Sequence, residues 1–378
     1  MAKKKMKRIV KVTRKKKKKK HLARRVILML LFIVLAVIGL EGYQIGSSLM
    51  SGLNGMDRVE IGDTDKDLMI NDGVSASTAD SGIINIALFG LDARPDETAS
   101  RSDTIIVLSV DTVNKDITLT SILRDTYIGI PGEYNTKINA AYFIGGPELA
   151  VQTLNNNFDL DIHEYITVDF RAIADIVDAV GGIEITVSEE ELAALNGSIF
   201  DSNRLLGGDL SPYVSAGTQI LDGKQALAYC RIRKLGNGDF DRAARQREVI
   251  GQILSAVKTN FSPDMITNLS AAISDDMSTS MTNKEIFNLA YQVFRCRKTV
   301  RTDSLTDNAY LKSASIDGSM VLVPVTQADA ATDLHTIIYG ESAFTPSTQL
   351  QSLSKKLKKI TDQINVYTID TDPSISIE

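Results

Sequence analysis

Of the first 25 residues 15 are Lys or Arg and none is acidic, and directly behind them stands the uncharged run "VILMLLFIVLAVIGL", Val26 to Leu40. A spanning helix needs roughly 20 residues at about 1.5 Å each, so the run is a little short alone. Its flanks supply the rest: Leu22 and Ala23 precede it, Arg24 and Arg25 can snorkel to the headgroups, and Tyr43 and Ile45 follow Glu41. No small-x-small cleavage motif follows Leu40, so the reading is an uncleaved anchor rather than a signal peptide. The positive charges place the N-terminus in the cytoplasm and everything after about Gly46 outside the cell membrane. The run "RKKKKKK", Arg14 to Lys20, then reads as an orientation signal that also grips anionic lipid, and no nucleic-acid partner is expected.

The tail distorts the overall charge. Setting its 15 cations aside leaves 27 Lys and Arg against 47 Asp and Glu, a net charge near −20 for the rest of the chain. With 43% hydrophobic and 24% charged residues, that remainder can bury a core. The expected organisation is a basic tail over 1–25, an anchor over 26–45, and an aperiodic Gly-, Ser- and Asp-containing stalk over 46–82. A folded domain over 83–340 and a polar C-terminal tail over 341–378 follow, the tail holding a short basic helix near Lys355 to Lys359.

Within the domain, "IINIALFGLD", "TIIVLSVD" and "DITLTSILRD" have the look of buried strands. "PELAVQTLNNNF" and "RAIADIVDAV" carry helical periodicity, and Gly181 and Gly182 stop the second before a strand in "GGIEITV". Asn196 to Thr218 reads as a loop, Asp241 to Asn260, Asn283 to Arg295 and Ala328 to Tyr339 as helices, and Asp317-Gly318 as a hairpin turn. The alternation indicates an α/β sandwich.

Charged residues gather where these strands end. Asp92 and Arg94 close the first, "SRSDT" brings Arg101 and Asp103 to the second, and "ILRDT" presents Arg124 and Asp125 after the third, with Lys137 and Asn139 beyond. Two carboxylates among several Arg suit Mg²⁺ and a pyrophosphate, because Asp oxygens hold a hard cation and guanidinium forks bind phosphate. In "YCRIRKLGNGDFDRAARQRE" Asp241 can cap a helix that lines up Arg242, Arg245 and Gln246 on one face. Arg231 and Arg233 stand upstream, and the "GNGD" turn can bring Asp239 to a ligand. Walker-type loops, G-x-S-x-G and H-E-x-x-H motifs are missing from the sequence. The two cysteines, Cys230 and Cys296, could close one disulfide or stand as two buried small apolar residues, and no Cys/His spacing suits zinc.

Six ordered blocks, "FGLDARPDETASRSDTIIVLSVD", "SILRDTYIGIPG", "TKINAAYFIGG", "DAVGGIEI", "LDGKQALAYCRIR" and "GDFDRAARQRE", resemble the LytR-CpsA-Psr proteins of the bacterial envelope, over about Ile84 to Asn260. The resemblance implies an α-β-α sandwich with a central mixed sheet behind a single N-terminal transmembrane helix. It also implies a metal-dependent phosphotransferase of the Gram-positive cell wall. Such an enzyme moves a glycopolymer, teichoic acid or capsular or secondary wall polysaccharide, from a polyprenyl pyrophosphate carrier to a peptidoglycan hydroxyl with Mg²⁺ or Mn²⁺. By position Asp92 and Asp103 match the metal-associated aspartates. Arg101, Arg124, Arg231, Arg233, Arg242 and Gln246 match pyrophosphate positions, and Lys137 and Asn139 fall in the K-I-N-A block. The general base is left between Asp125 and Asp239, and the lipid tail is expected between helices such as Ala172 to Val180 and Val249 to Val257. Leu123 departs from the proline common in the family. A pyrophosphate hydrolase and a non-catalytic lipid-carrier binding protein are the alternatives. A transcription regulator fits poorly, because the cytoplasmic part is too short for a DNA-binding domain.

Overall fold

The computed structural model describes residues 45–92, 100–233, 235–236, 238–273, 277–297, 300–305, 311–316, 318–340, 344–363 and 366–368. The basic tail, all of the anchor but Ile45, Arg94 and Asp317 lie outside the described residues, and among those described no helix is long and apolar enough to cross a membrane. The chain divides into two units after Ser51. Residues 45–55 are helical (α1, as far as it is described).

From Gly52 onward the elements run β1 (Asp57–Arg58), α2 (Val74–Thr78), β2 (Ile83–Leu91), β3 (Ser102–Asp111), β4 (Asp116–Ser121), β5 (Tyr127–Gly129) and β6 (Asn135–Lys137). Then come α3 (Ala140–Phe158), β7 (Glu164–Val168), α4 (Phe170–Ala179), β8 (Ile183–Val187), α5 (Glu189–Leu206), β9 (Gly217–Leu221), α6 (Gly223–Cys230), α7 (Asp239–Thr259) and α8 (Pro263–Ala272). The chain closes with β10 (Met277–Thr279), α9 (Asn283–Arg295), β11 (Val300–Ser304), β12 (Leu311–Ile316), β13 (Ser319–Pro324), α10 (Gln327–Tyr339), α11 (Thr348–Thr361) and β14 (Val366–Thr368).

A seven-stranded mixed sheet in the order β1-β10-β7-β2-β3-β4-β11 is the centre of an α/β fold. Strands β2, β3 and β4 form an antiparallel meander, while β7 lies parallel to β2 and β11 parallel to β4. Alternation along these strands feeds two cores. Ala87, Phe89, Ile105 and Val107 face a cluster that Leu154 of α3 and Leu334 of α10 also enter. Ile86, Ile106, Leu108 and Leu119 face the opposite cluster, covered by Ile250 of α7 and Leu289 of α9. A third cluster joins Val177 of α4, Leu195 of α5 and Val249 of α7 around the antiparallel β8–β9 pair.

The expected helices and strands recur with small shifts. Gly181 and Gly182 adopt φ 86° and 88° as the chain leaves α4, a conformation that favours glycine, and the hairpin joins Ile316 to Ser319. Three segments differ from expectation. The stalk is folded from Gly52 onward: Leu53, Met56, Leu68, Ile70 and Val74 are buried, and Asn71 Nδ2 donates to Asp159 Oδ1 at 2.6 Å. Its apolar residues enter the core singly, without a period to read, and its polar ones bond across the chain. Part of the expected loop is helix, since α5 runs to Leu206 behind a Ser188–Glu191 capping box. The C-terminal tail is folded over 344–363 and 366–368, where α11 buries Leu350 and Leu357, Ser347 Oγ donates to Asp159 Oδ1 at 2.8 Å, and β14 pairs with β12.

Cys230 and Cys296 are both free. They enter different clusters, Cys230 with α6 and Cys296 beyond α9 on the sheet, which answers the disulfide alternative against the bridge. Burial raises both thiol pKa values, Cys230 to about 12.

A fully buried Leu, Ile, Val or Met is worth about 1.5–3 kcal/mol, against a total stability of about 5–15 kcal/mol. A chain starting at Ser81 forfeits five such residues, so it should show no cooperative chemical unfolding and rapid proteolysis, whereas one starting at Gly52 should unfold in a single sharp transition.

Candidate functional site

The antiparallel meander brings the end of β2, the start of β3 and the end of β4 to one edge of the sheet, and β7, parallel to β2, ends there too. The register Leu91↔Ser102 sets Asp92 beside the beginning of β3, which carries Asp103. Arg124 and Asp125 follow β4, Lys137 ends β6, and Asn139 precedes α3. Asp239 and Arg242 enter from the first turns of α7, whose exposed N–H groups favour an anion.

Arg124 ties these pieces together. Its Nη1 donates to Asp103 Oδ1 at 2.8 Å and its Nε to Asp239 Oδ2 at 2.8 Å, joining β3 to α7, with Asp125 Oδ2 at 3.8 Å. Arg233 Nη2 holds the other oxygen of Asp103 at 2.9 Å, Arg242 Nη2 donates to Asp239 Oδ2 at 3.2 Å, and Lys137 Nζ lies 3.0 Å from Asp125 Oδ1. Burial opposes the charge on Arg124, but the attraction of Asp103, Asp239 and Asp125 outweighs it and raises the pKa. For Arg242 burial prevails, helped by repulsion from Arg124 and Arg233, and the pKa falls to about 10, still protonated at neutral pH.

Arg242 is 4% exposed, and its Nε and Nη1 have no hydrogen-bond partner among the described residues. A buried unpaired donor costs about 1–3 kcal/mol. Arg242 therefore carries unsatisfied donors at the base of a narrow recess of about 10 Å³ lined by Asp103, Arg124, Asp239 and Gln246, which an anion could satisfy only once the recess opens.

Arg101, exposed, donates from Nη1 to Asn139 Oδ1 at 3.4 Å and lies over Phe143 at 5.7 Å; Arg231 stacks on Phe170 at 4.6 Å. Arg245 leaves the group. Its Nε donates to Glu191 Oε1 at 2.9 Å and its Nη1 to the Ile232 carbonyl at 3.3 Å, beside a separate cleft of about 380 Å³ lined by Tyr229, Glu190 and Glu248. The expected face of α7 thus splits at its margin. Residues 242 and 246 are about 40° apart around the helix, while 245 lies some 60° the other way, within reach of α5. Burial would raise the Glu191 pKa, but the Ser188 N–H and Arg245 outweigh it and lower it. Asp241 does not cap α7: Gly238 occupies that place, and Asp241 sits in the first turn with Asp239. The aromatic seats Phe143 and Phe170, and Glu191 as partner of Arg245, escaped sequence reasoning, since no spacing motif marks a residue that acts by facing another element.

No group of three or more His, Cys, Asp and Glu able to hold a metal ion occurs among the described residues. Asp92 and Asp103 on neighbouring strand ends nevertheless fit Mg²⁺, which is usually held by one or two carboxylates with phosphate oxygens and water completing the shell. Both Asp103 oxygens are engaged by guanidinium groups, so a cation there would replace one of those contacts.

A sequence model of the LytR_cpsA_psr family matches residues 53–335. The chain is 33% identical over 232 residues, 60% of its own length and 71% of the relative's, to polyisoprenyl-teichoic acid–peptidoglycan teichoic acid transferase TagU of Enterococcus faecalis. To the TagU of Oceanobacillus iheyensis it is 40% identical over 174 residues, 44% of this chain and 49% of the other. Among solved structures, the Bacillus subtilis family protein YwtF (TagT) with bound octaprenyl pyrophosphate lipid shares the fold with a TM-score of 0.55 at 21% identity, covering 74% of this chain and 99% of that one.

Arg242 and Arg245 should respond oppositely to removal. Arg242→Met deletes buried unpaired donors while Asp239 keeps Arg124, so the unfolding midpoint should stay or rise as anion affinity is lost. Arg245→Ala strands Glu191 and a carbonyl and should cost about 2–3 kcal/mol in chemical denaturation.

Proposed function

The chain belongs to the LytR-CpsA-Psr family, and from that membership we propose that it is a membrane-anchored extracellular phosphotransferase moving a wall glycopolymer from a polyprenyl pyrophosphate carrier to peptidoglycan. The observation that carries the reading is the buried Arg242, with two donors unpartnered among the described residues, beside Arg124 and Gln246. A pyrophosphate supplies the acceptor oxygens that such a recess lacks, and the TagU relatives carry the corresponding activity in their names.

In the reaction an acceptor hydroxyl attacks the sugar-linked phosphorus and the P–O–P bridge breaks. Polyprenyl phosphate departs and the phosphodiester remains. Arg124, Arg233 and Arg242 would neutralise charge gathering on the bridging and non-bridging oxygens, and Arg101 and Arg231, held on Phe143 and Phe170, would fix the outer phosphate. The hydroxyl proton passes to Asp125 or Asp239, the two carboxylates nearest Arg124 that are not assigned to a metal. Lys137 positions the first of these and Asn139 orients Arg101. Mg²⁺ or Mn²⁺ held by Asp92 and Asp103 would supply further charge neutralisation. The isoprenoid tail would enter the apolar cluster to which α4 and α7 both contribute. The run Val26 to Leu40 anchors the chain and places the domain where lipid carrier and wall meet.

The test uses the full chain in lipid nanodiscs with a polyprenyl-pyrophosphate glycan, Mg²⁺ and peptidoglycan fragments, with products read by mass spectrometry. A glycan–phosphate–peptidoglycan adduct is expected, reduced at least about 100-fold in Asp103→Ala and in one of Asp125→Asn and Asp239→Asn. Free glycan phosphate alone would establish a hydrolase, and retained, unreacted lipid a binding protein.

A further inference from the structure

Helix α9 is joined to the sheet by one side alone. Ile286, Leu289 and Val293 pack on the sheet-side core, yet none of its residues is fully buried. Its outward side presents Phe287, Tyr291 and Phe294 at 42%, 58% and 52% exposure, spaced i, i+4 and i+7. Phe261, 58% exposed and just beyond α7, adds a fourth ring 5.5 Å from that of Phe294. Large aromatic side chains gathered this way are costly in water and mark a surface that meets something else.

The charges around these rings narrow the choice of partner. Lys284 and Arg295 are exposed along the helix, Arg297 just after it is exposed with its Nε 3.5 Å from Asp116 Oδ1, and Arg295 lies over Tyr291 at 5.4 Å. Glu285, the one carboxylate of the helix, is engaged in the capping box with Thr282. A cationic, aromatic face on a chain whose part beyond the tail carries a net charge near −20 is a local reversal. Aromatic rings with Lys and Arg at their margins are the side chains that settle at the headgroup level of an anionic bilayer.

Chain connectivity points the same way. Strand β1 pairs in parallel with β10, immediately before α9. Asn283, the first residue of α9, receives a hydrogen bond from Arg58 Nη2 at 2.6 Å and donates one to Asn54 Oδ1 at 3.0 Å. The first turn of α9 is therefore bonded to residues 54–58, and Asn54 stands fourteen residues after Leu40, the end of the apolar run. Even fully extended, that stretch measures at most about 50 Å.

We propose that the exposed face of α9, with Phe261, rests on the outer surface of the bilayer that holds the N-terminal anchor, with Phe287, Tyr291 and Phe294 at headgroup depth and Lys284, Arg295 and Arg297 against anionic lipid. The proposal rests on the anchor reading of Val26 to Leu40. Two attachments, the anchor and this face, would restrict rotation of the domain about the segment joining them and so fix the side it turns to the lipid. A lipid-borne substrate would then meet the domain from one direction.

The chain contains no tryptophan, which supplies a clean test. Single-tryptophan full-length proteins, Phe287→Trp, Tyr291→Trp and Phe294→Trp, are reconstituted into phosphatidylethanolamine–phosphatidylglycerol vesicles with and without bromine on the acyl chains. Tyr134→Trp, in the exposed turn between β5 and β6, serves as control. All four replace one aromatic ring by another at an exposed position, and an unchanged unfolding midpoint verifies the fold. Flotation of the vesicles in high salt tests the anchor separately. With flotation retained, bromolipid should quench the α9 tryptophans at least about twofold more than the control, and Arg295→Glu with Arg297→Glu should reduce the difference. Quenching no greater than that of Tyr134→Trp overturns the proposal while leaving the anchor in place, and so does a blue-shifted, unquenched emission, which would mean that a second copy of the chain covers the face. Failure to float overturns the anchor and the proposal together.

Discussion

The two ion pairs of Arg124, to Asp103 on β3 and to Asp239 on α7, are what the rest of the site depends on. The sheet edge and the start of α7 are far apart in sequence, and Arg124 is the side chain that bonds to both. A planar guanidinium can hold two carboxylates at once in fixed directions, which a lysine ammonium cannot. With Arg124 in place, Asp103 and Asp239 can each accept a second cation, Arg233 and Arg242 respectively, so one residue organises four. Because Arg124, Asp103, Asp239 and Arg233 are only partly buried, their side of the lattice stays accessible to a charged ligand, with Arg242 buried beneath. Its value lies less in stability than in keeping the geometry set before that ligand arrives.

Much of this was legible in the amino-acid order. The strand-end charges at Asp92, Asp103, Arg124 and Asp125 could be read because an apolar run that stops on a charge marks where a strand leaves the core. The helices Asn283–Arg295 and Ala328–Tyr339 were visible through their periodicity. What escaped was whatever depends on pairing across the chain. Leu68, Ile70 and Val74 carry no period, and Asn71 and Ser347 look like linker residues until Asp159 is found to bond both. Asn196, Gly197 and Ser198 argue for a loop by composition, but a capping box upstream and the buried Leu195 and Ile199 outweigh them. Arg245 is the clearest instance within the site: spacing alone put it beside Arg242, and a glutamate on another helix took it away.

The three arginines on α7 illustrate how one helix serves two purposes. Arg245 is nearly buried and well paired, and its chemistry is spent on locking α7 to α5. Arg242 is as deeply buried but only partly paired, a state a protein optimised for stability alone would replace with an apolar side chain. Arg247, 8% exposed, has an unpartnered Nε and Nη1 among the described residues as well.

Burial of Arg242 also has an electrostatic consequence for selectivity. Its pKa is held near 10 by burial and by Arg124 and Arg233, so the charge is maintained against a desolvation cost that a bound dianion would relieve. A neutral ligand at the mouth of the recess would offer no such relief. A monoanion would satisfy fewer donors than a pyrophosphate, whose oxygens can reach Arg242 and the outer arginines together. The same argument limits the acceptor. A hydroxyl adds no charge to the site, so discrimination among acceptors must come from surfaces beyond the arginine lattice, while the lattice itself selects the donor.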